Sequence, residues 1–238
     1  MTADPPNSVS FDERVFPMLK ACTLFFKNPA MDPVEFQTYW RTEHVPHVKR
    51  MPNVRRYVQN HPRLDVGKPA PYDGFVELWV DDTAALKQLA ASPEYARVVE
   101  DEKVFVDRPR IDLTLTEEHV VLDGPVPAGA VKQIVLLKRR PGMTPAEFQD
   151  HWLNVHAPLV GRPNGLCRYA QSHTKLSGYR SDREPTWDGF GEMWFVSEEA
   201  MRAARQAPGQ ERVRADGANF VDPDKLKSFL VTEHVMVA

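Results

Sequence analysis

The chain contains the run Met31-Asp32-Pro33-Val34-Glu35-Phe36, followed by Trp40 and by His44-Val45-Pro46. The pattern returns from residue 143 as Met143-Thr144-Pro145-Ala146-Glu147-Phe148, with Trp152 and His156-Ala157-Pro158. Further matches pair residues 56–61 with 168–173, 73–79 with 188–194, 105–107 with 220–222 and 118–120 with 233–235. A repeat of this length exceeds a solenoid unit, so each copy is predicted to be a small domain.

Bulk composition indicates an ordinary soluble protein. The 238 residues are 42% hydrophobic and 26% charged, and the net charge of -3 offers no basic surface for nucleic acid or anionic lipid. No signal peptide is expected, because the first eighteen residues lack an apolar run, and no apolar stretch is long enough to cross a membrane. Cys22 and Cys167 stand at non-equivalent places in the two copies, which favours a reducing cytoplasm over a disulfide framework.

Each copy has the order β-α-β-β-α-β, which is typical of a ferredoxin-like unit. Asp32 and Thr144 are predicted N-caps, each followed by a proline and then a capping glutamate. The helices that follow are predicted to end near His44 and His156, before the next prolines. A second helix in each copy is predicted to be split at Pro93 and Pro208.

The predicted domain organisation has four segments. Residues 1–18 form an N-terminal arm, 19–121 the first domain, 122–130 a linker rich in proline and glycine, and 131–238 the second domain. A ferredoxin-like sheet carries helices on one face only, so the other face must be buried elsewhere. Two such sheets in one chain can bury these faces against each other, which predicts one compact body.

Six of the eight histidines fall at matched positions of the two copies: His44/His156, His61/His173 and His119/His234. Phe36, Trp40 and His44 are spaced to lie on one helix face, which must look towards the sheet. His44 is therefore either a satisfied histidine at the helix end or a polar group that faces a ligand.

A pocket between helices and sheet is the predicted site. Tyr57, Gln59 and His61 alternate along one side of the second strand, and Phe75, Glu77 and Trp79 along one side of the third. If both sets face the helices, they join His44 around one pocket suited to proton transfer. Glu77 would then have a raised pKa beside Trp79; the alternative is a ladder contact between Glu77 and Arg56.

Other polar motifs carry less information. Only one member of Glu118-His119, and of Glu233-His234, can face the pocket, and the sequence leaves open which. Asp73-Gly74 is interpreted as turn chemistry at the start of a strand. His44-x-x-His47 has metal-ligand residue types, but Leu159 replaces His47 in the second copy, so no metal site is predicted. Neither a phosphate-binding glycine loop nor a nucleophile elbow is found.

These motifs together resemble the EthD family within the dimeric α/β-barrel superfamily. They are the Pro-x-Glu-Phe, Trp and His-x-Pro run, the Arg-Tyr-x-Gln-x-His strand, the Asp-Gly-Phe-x-Glu-x-Trp strand, and the Phe-x-Asp and Glu-His tail. The resemblance covers nearly the whole chain after the arm. It implies two ferredoxin-like repeats that form, within one chain, the α/β barrel that other members build as homodimers, with ligands between a sheet and its own helices.

The resemblance and the repeat together give the candidate site residues. The catalytic candidates are His44, His156, His61, His173, Tyr57 and Tyr169. The substrate-binding candidates are Trp40, Trp152, Gln59, Gln171, Glu77, Glu192, Trp79 and Trp194. The loop between the second and third strands is longer and more charged in the second copy, which predicts two pockets of different shape or access.

The predicted function is a cytoplasmic, cofactor-independent enzyme that acts on a small aromatic, phenolic compound by acid–base catalysis. A lyase or isomerase step is favoured, such as loss of carbon dioxide, water or an aldehyde, or ring closure. Three alternatives stay open: a cofactor-free oxygenase, a non-catalytic ligand-binding or accessory protein, and a haem-binding protein. No nucleic-acid or membrane partner is predicted, and the two-domain chain could itself form a homodimer.

Overall fold

The computed structural model describes residues 18–180 and 182–238. The strands are β1 (Leu19–Phe25), β2 (Arg56–Pro62), β3 (Gly74–Val80), β4 (Asp112–Leu122), β5 (Val131–Leu137), β6 (Leu166–Thr174), β7 (Gly189–Phe195) and β8 (Lys227–Val237). The helices are α1 (Pro33–Tyr39), α2 (Val45–Val48), α3 (Thr83–Ala90), α4 (Pro93–Phe105), α5 (Pro145–Asp150), α6 (Ala157–Val160), α7 (Glu198–Gln206) and α8 (Gln210–Phe220). Except for Met18, the predicted N-terminal arm lies outside the described residues.

The eight strands form one closed antiparallel barrel in the order β1-β3-β2-β8-β5-β7-β6-β4. Strands β1–β4 with α1–α4 are called the first unit, and β5–β8 with α5–α8 the second unit. The two sheets face each other as predicted and also join at their edges, where β2 pairs with β8 and β4 with β6. These two pairings are called the seams. Because the barrel closes, one face of each strand lies towards the interior, and helices cover much of the other face, while β4 and β8 at the seams keep exposed side chains such as Leu113 and Val235.

The first helix of each unit continues past the point where it was predicted to end. A π-helical stretch, Trp40–His44, connects α1 to α2, and His151–His156 connects α5 to α6 in the same way. Pro46 and Pro158 lie at the start of the continuing helices. A proline has no N–H and crowds the carbonyl four residues earlier, so the widened turn lets the helix continue past it.

The Asp-Gly pairs that start β3 and β7 have a packing role. A Cβ on Gly74 would lie 2.4 Å from the Phe25 ring, and one on Gly189 would lie 2.4 Å from the Trp152 ring. The preceding carboxylates accept backbone N–H groups from the ends of β1 and β5, Lys27 N to Asp73 and Arg139 N to Asp188. The motif therefore fixes an aromatic side chain against a strand end in each unit.

Within the described ranges, no helix has both the length and the apolar character that a membrane crossing requires.

Candidate functional site

A cavity of about 370 Å³ lies between the sheet and the helices of the first unit. Its walls are mostly apolar, and the polar side chains among them include His44, Tyr57, Glu102 and Arg108. Strands β1 and β3 contribute their helix-facing residues, such as Thr23, Val76 and Leu78. The size and lining suit a small-molecule ligand held by a few polar groups. This space is called the first-unit cavity.

His44 lies in the wall of the first-unit cavity and is paired with a carboxylate. Its Nδ1 is 2.7 Å from Asp101 Oδ2, and Tyr39 Oη donates to Asp101 Oδ1 at 2.8 Å. Burial opposes ionisation of Asp101, but the hydrogen bonds from His44 and Tyr39 outweigh it and hold the pKa of Asp101 below its usual value. An ionised carboxylate can only accept a proton here, so the contact favours the imidazole tautomer with its proton on Nδ1 and its lone pair on Nε2.

Tyr57 contributes a phenol to the same cavity wall. Trp40 Nε1 and Gln59 Nε2 both donate to Tyr57 Oη, each at 3.3 Å. Burial raises the pKa of Tyr57 to about 12, which keeps the phenol neutral. Both of these partners are donors, so within the described residues the phenol's own proton is left to donate to a ligand.

Gln59 and His61 lie on the same face of β2 as Tyr57, but they do not line the first-unit cavity. Gln59 Nε2 donates to the Trp40 carbonyl at 2.9 Å, and its Oε1 lies 2.9 Å from His61 Nε2. The His61 ring stacks on Trp40 with centroids 4.3 Å apart. Burial, and then the nearby His234, lower the pKa of His61 to about 3. His61 is therefore a neutral imidazole behind Trp40, away from the ligand space.

At the seams, the glutamate and the histidine of each Glu-His pair on β4 and β8 point to opposite sides of the sheet. His234 lies 4.6 Å from His61, and His119 lies 4.5 Å from His173, measured between ring centroids. Glu118 and Glu233 point instead into the barrel interior. Each histidine thus lies on the helix side of the other unit, next to that unit's matched histidine.

The second unit repeats the polar network. His156 Nδ1 lies 2.8 Å from Asp216 Oδ2, and burial lowers the pKa of His156. Tyr169 Oη accepts from Trp152 and Gln171, while His173 stacks on Trp152. The surrounding side chains differ, because Gly217 and Pro223 take the places of Glu102 and Arg108. The second unit thus has the same histidine–aspartate pair without the charged pair at the cavity wall.

The predicted placement of Glu77, Trp79, Glu192 and Trp194 beside the helices is wrong. Val76 and Leu78 face the first-unit cavity, so alternation turns Phe75, Glu77 and Trp79 into the barrel interior. Glu192 and Trp194 occupy the equivalent interior positions. The ladder contact between Glu77 and Arg56 is not formed either, because Glu77 pairs with buried lysines and Arg56 lies over the Trp79 ring.

The barrel interior holds a charge cluster that spans both units. Lys20 Nζ lies 2.6 Å from Glu77, 2.7 Å from Glu118 and 2.5 Å from Glu192. Lys132 Nζ lies 2.6 Å from Glu77, 3.0 Å from Glu192 and 2.8 Å from Glu233. These two lysines and four glutamates are called the interior charge cluster. Glu77, Glu118 and Glu192 have a spacing that could hold a metal ion, but the Lys20 ammonium already contacts all three.

The family follows from comparison with known proteins. The EthD domain model matches residues 28–109 and 140–224, one segment in each unit. The chain belongs to the EthD domain family. An uncharacterised 11.0 kDa protein of Rhodococcus erythropolis, from the thcB-thcC intergenic region, is 30% identical over 101 residues. The match covers 95% of that relative and 42% of this chain, so one EthD unit corresponds to its length.

Solved structures share the barrel. An anthrone oxidase-like protein is 14% identical, with a TM-score of 0.64 over 93% of this chain and 94% of that one. A mutant chlorite dismutase from Candidatus Nitrospira defluvii is 8% identical, with a TM-score of 0.50 over 91% and 92%. At these identities the likeness concerns the fold, a dimeric α/β barrel, which the two EthD units here build within one chain.

Sequence reasoning missed two pairs of site residues. Asp101 and Asp216 were detectable, because the matched Phe-Val-Asp segments extend upstream to an aspartate four positions before each phenylalanine. Lys20 and Lys132 also recur at equivalent places in β1 and β5. A lysine in an apolar strand predicts a solvent-facing position, and only barrel closure turns these two lysines inwards.

Proposed function

We propose that this EthD protein is a cofactor-independent enzyme that transfers a proton to or from a small phenolic aromatic compound, with the first-unit cavity as its active site. One observation carries the proposal: His44, held through Nδ1 by Asp101 at 2.7 Å, stands in the wall of a 370 Å³ cavity that Tyr57 also lines. A positioned imidazole in the wall of a mostly apolar cavity is an arrangement that supports general acid–base catalysis.

Each polar group has a distinct part in the proposed reaction. The Asp101 carboxylate holds the Nδ1 proton of His44, so Nε2 accepts a proton from the substrate and later returns it. Tyr57 donates its phenolic proton to the substrate oxygen on which negative charge develops. Trp40 and Phe105 supply aromatic walls for a flat ring.

These parts fit a lyase or isomerase step. Loss of carbon dioxide, water or an aldehyde, and ring closure, all require proton transfer close to an oxygen that bears developing charge. A base and an oxygen-directed donor in one apolar cavity serve all four.

The cytoplasm remains the proposed compartment, since both cysteines are free thiols.

A second candidate is cofactor-free oxygenation in the same cavity. The shared fold with an anthrone oxidase-like protein favours it, and removal of a phenolic proton by His44 would give an electron-rich phenolate able to react with oxygen. Anaerobic and aerobic assays separate the two candidates. An oxygenase stops without air, whereas a lyase or isomerase continues at the same rate.

The repeat provides matched variants for the test. A panel of hydroxybenzoates, naphthols and anthrones is incubated with the protein, and products are followed by chromatography. We expect His44→Gln to lower turnover by roughly 10²–10⁴-fold while binding is retained, because only the base is removed. His156→Gln, the same change in the second unit, measures the share of turnover carried there. Undiminished turnover in the double variant contradicts the mechanism, and binding without any product indicates a non-catalytic protein.

A further inference from the structure

The first-unit cavity has a permanent positive charge in its wall. Among the described residues that line it, Arg108 is the one lysine or arginine. It opens the short 3₁₀ turn Arg108–Arg110 after α4. Its side chain is 32% exposed, so the guanidinium lies where the cavity meets solvent. A cation at the edge of a mostly apolar cavity, paired with Glu102 through one nitrogen only, favours ligands that carry an anionic group at one end.

The Arg108 guanidinium is held in place by some of its N–H groups, while others remain available as donors. Arg108 Nη1 donates to the carboxylate of Glu102 and to the Val99 carbonyl, both on α4. Within the described part of the chain, its Nε and Nη2 have no partner. These two N–H groups form an edge of the guanidinium that matches the two oxygens of a carboxylate. Glu102 thus fixes the side chain and leaves that edge available.

The backbone around Arg108 is also anchored. Asp107 N donates to Phe26 O at 2.9 Å, and Ile111 N donates to Arg108 O at 3.1 Å. Val106 forms an isolated bridge with Lys27 at the end of β1. Because the turn is tied to the sheet on one side and to α4 on the other, the cation keeps its position at the cavity edge.

We infer that the first-unit cavity is specific for an aromatic carboxylate, whose ring lies against Trp40 and Phe105 and whose carboxylate binds Arg108. This specificity rests on the proposed function and adds the substrate class to it. Arg108 is a specificity-determining residue, and the negative charge of Glu102 weakens the attraction between Arg108 and an anionic ligand. The second unit, with Pro223 in place of Arg108, lacks this recognition and does not discriminate between acid and neutral ligands.

Binding measurements test the inference without any turnover. The probes are 2-naphthoate and 2-naphthol, which share a ring system and differ in charge at pH 7, titrated calorimetrically. We expect the wild-type protein to bind 2-naphthoate about tenfold more tightly than 2-naphthol, as one charge-assisted hydrogen-bonded pair allows. Arg108→Gln should abolish that preference and leave 2-naphthol affinity unchanged, which also shows that the variant is folded.

Two further variants sharpen the result. Arg110→Gln removes a neighbouring cation that pairs with Asp107 and lies over Phe26, outside the cavity wall, and should keep the preference. Glu102→Gln removes the neighbouring negative charge but keeps an oxygen that can accept from Arg108 Nη1, and it should widen the preference for 2-naphthoate. Equal binding of both probes to the wild type, or a preference that survives Arg108→Gln, overturns the inference. In that case binding of 2-naphthol and loss of turnover in His44→Gln still support the proposed function. If neither probe binds, both the inference and the proposed function are contradicted.

Discussion

At the scale of single residues, Asp101 decides which nitrogen of His44 can act. The carboxylate contacts Nδ1 at 2.7 Å and is itself held by Tyr39. Burial, together with the hydrogen bond to Asp101, raises the pKa of Tyr39 to about 12, so Tyr39 remains a donor to the carboxylate. Asp101 is therefore a positioning residue in the proposed mechanism, and its charge matters as much as its shape.

Replacing that carboxylate by an amide tests the tautomer argument. In Asp101→Asn the amide can present its NH₂ to His44 Nδ1, which moves the imidazole proton to Nε2 and removes the base. We expect turnover to fall by roughly 10³-fold with little change in ligand binding. Nitrogen NMR of the imidazole should show the changed tautomer. Tyr39→Phe, which keeps the carboxylate, should have a much smaller effect on turnover. Equal losses in both variants would count against a tautomer role for Asp101.

Local sequence patterns located some of the residues around the first-unit cavity, while the roles of these residues stay predictions. His44, Tyr57 and Trp40 were expected beside one pocket, and all three line the first-unit cavity. His61 was expected there as well, but it lies behind Trp40. Asp101 is 57 positions from its partner His44, and no local spacing relates them. The aspartates were missed, and only an extension of the repeat upstream of Phe105 and Phe220 could have indicated them.

At the scale of elements, the π-helical stretches connect the cavity to the strand behind it. In both units the stretch contains a tryptophan, Trp40 or Trp152, and ends at the histidine that meets an aspartate. The tryptophan carbonyl accepts a side-chain amide from Gln59 in the first unit and from Gln171 in the second. A glutamine from the sheet therefore satisfies a carbonyl of the widened turn in each unit.

Substitution of that glutamine should be costly to stability. Gln59→Met removes hydrogen bonds to the Trp40 carbonyl, Tyr57 and His61, all of them buried. We expect the free energy of unfolding to fall by roughly 2–4 kcal/mol, since buried polar groups lose their partners. Urea unfolding measures the change, with exposed Gln206→Met as a control that stays within about 0.5 kcal/mol. A loss no larger than that of the control would show that water replaces the amide.

The main wrong prediction at this scale concerned which face of a strand meets the helices, and barrel closure explains why it was wrong. The order of elements along each unit, the split second helices and the capping aspartate and threonine follow from local patterns in the sequence. The side of β3 that meets the helices does not follow from local patterns, because both sides of this strand are covered in a closed barrel. Phe75, Glu77 and Trp79 looked like a ligand-facing set, yet Val76 and Leu78 line the cavity. Alternation fixes the two sets but not their direction.

At the scale of the whole molecule, the interior charge cluster connects the two EthD units. Lys20 of the first unit contacts Glu192 of the second, and Lys132 contacts Glu77 in return. Two ammonium groups face four carboxylates, so full ionisation would leave two uncompensated negative charges inside the barrel. Burial, and then the charge of Glu77, raise the pKa of Glu192 to about 7. Burial opposes ionisation of Glu77, but Lys132 and Lys20 hold its pKa well below the usual value.

These opposite shifts predict that Glu77 and Glu192 hold one proton between them, mainly on Glu192, and the sign of the pH dependence follows. An unfolded glutamate loses its proton near pH 4.5, whereas folded Glu192 keeps it until about pH 7. Between these values the folded state binds more protons than the unfolded state, so the free energy of unfolding falls as pH rises through this window. Glu77 acts in the opposite direction, because its stabilising charge is lost only as pH drops below 4.5 through its lowered folded pKa.

Amide substitutions separate this shared proton from ordinary ion pairing. Glu192→Gln mimics the protonated carboxyl, so we expect it to match the wild type near pH 5 and to be more stable by roughly 2–3 kcal/mol at pH 8. Glu77→Gln should behave similarly, because Glu192 then ionises and serves both lysines. The double variant leaves Lys20 and Lys132 with only Glu118 and Glu233 and should lose roughly 3–5 kcal/mol relative to either single variant. Urea unfolding from pH 5 to pH 8 measures all four proteins. If the single variants keep the wild-type slope, or if the double variant equals the sum of the singles, the proton is not shared, and the units are held together by independent ion pairs.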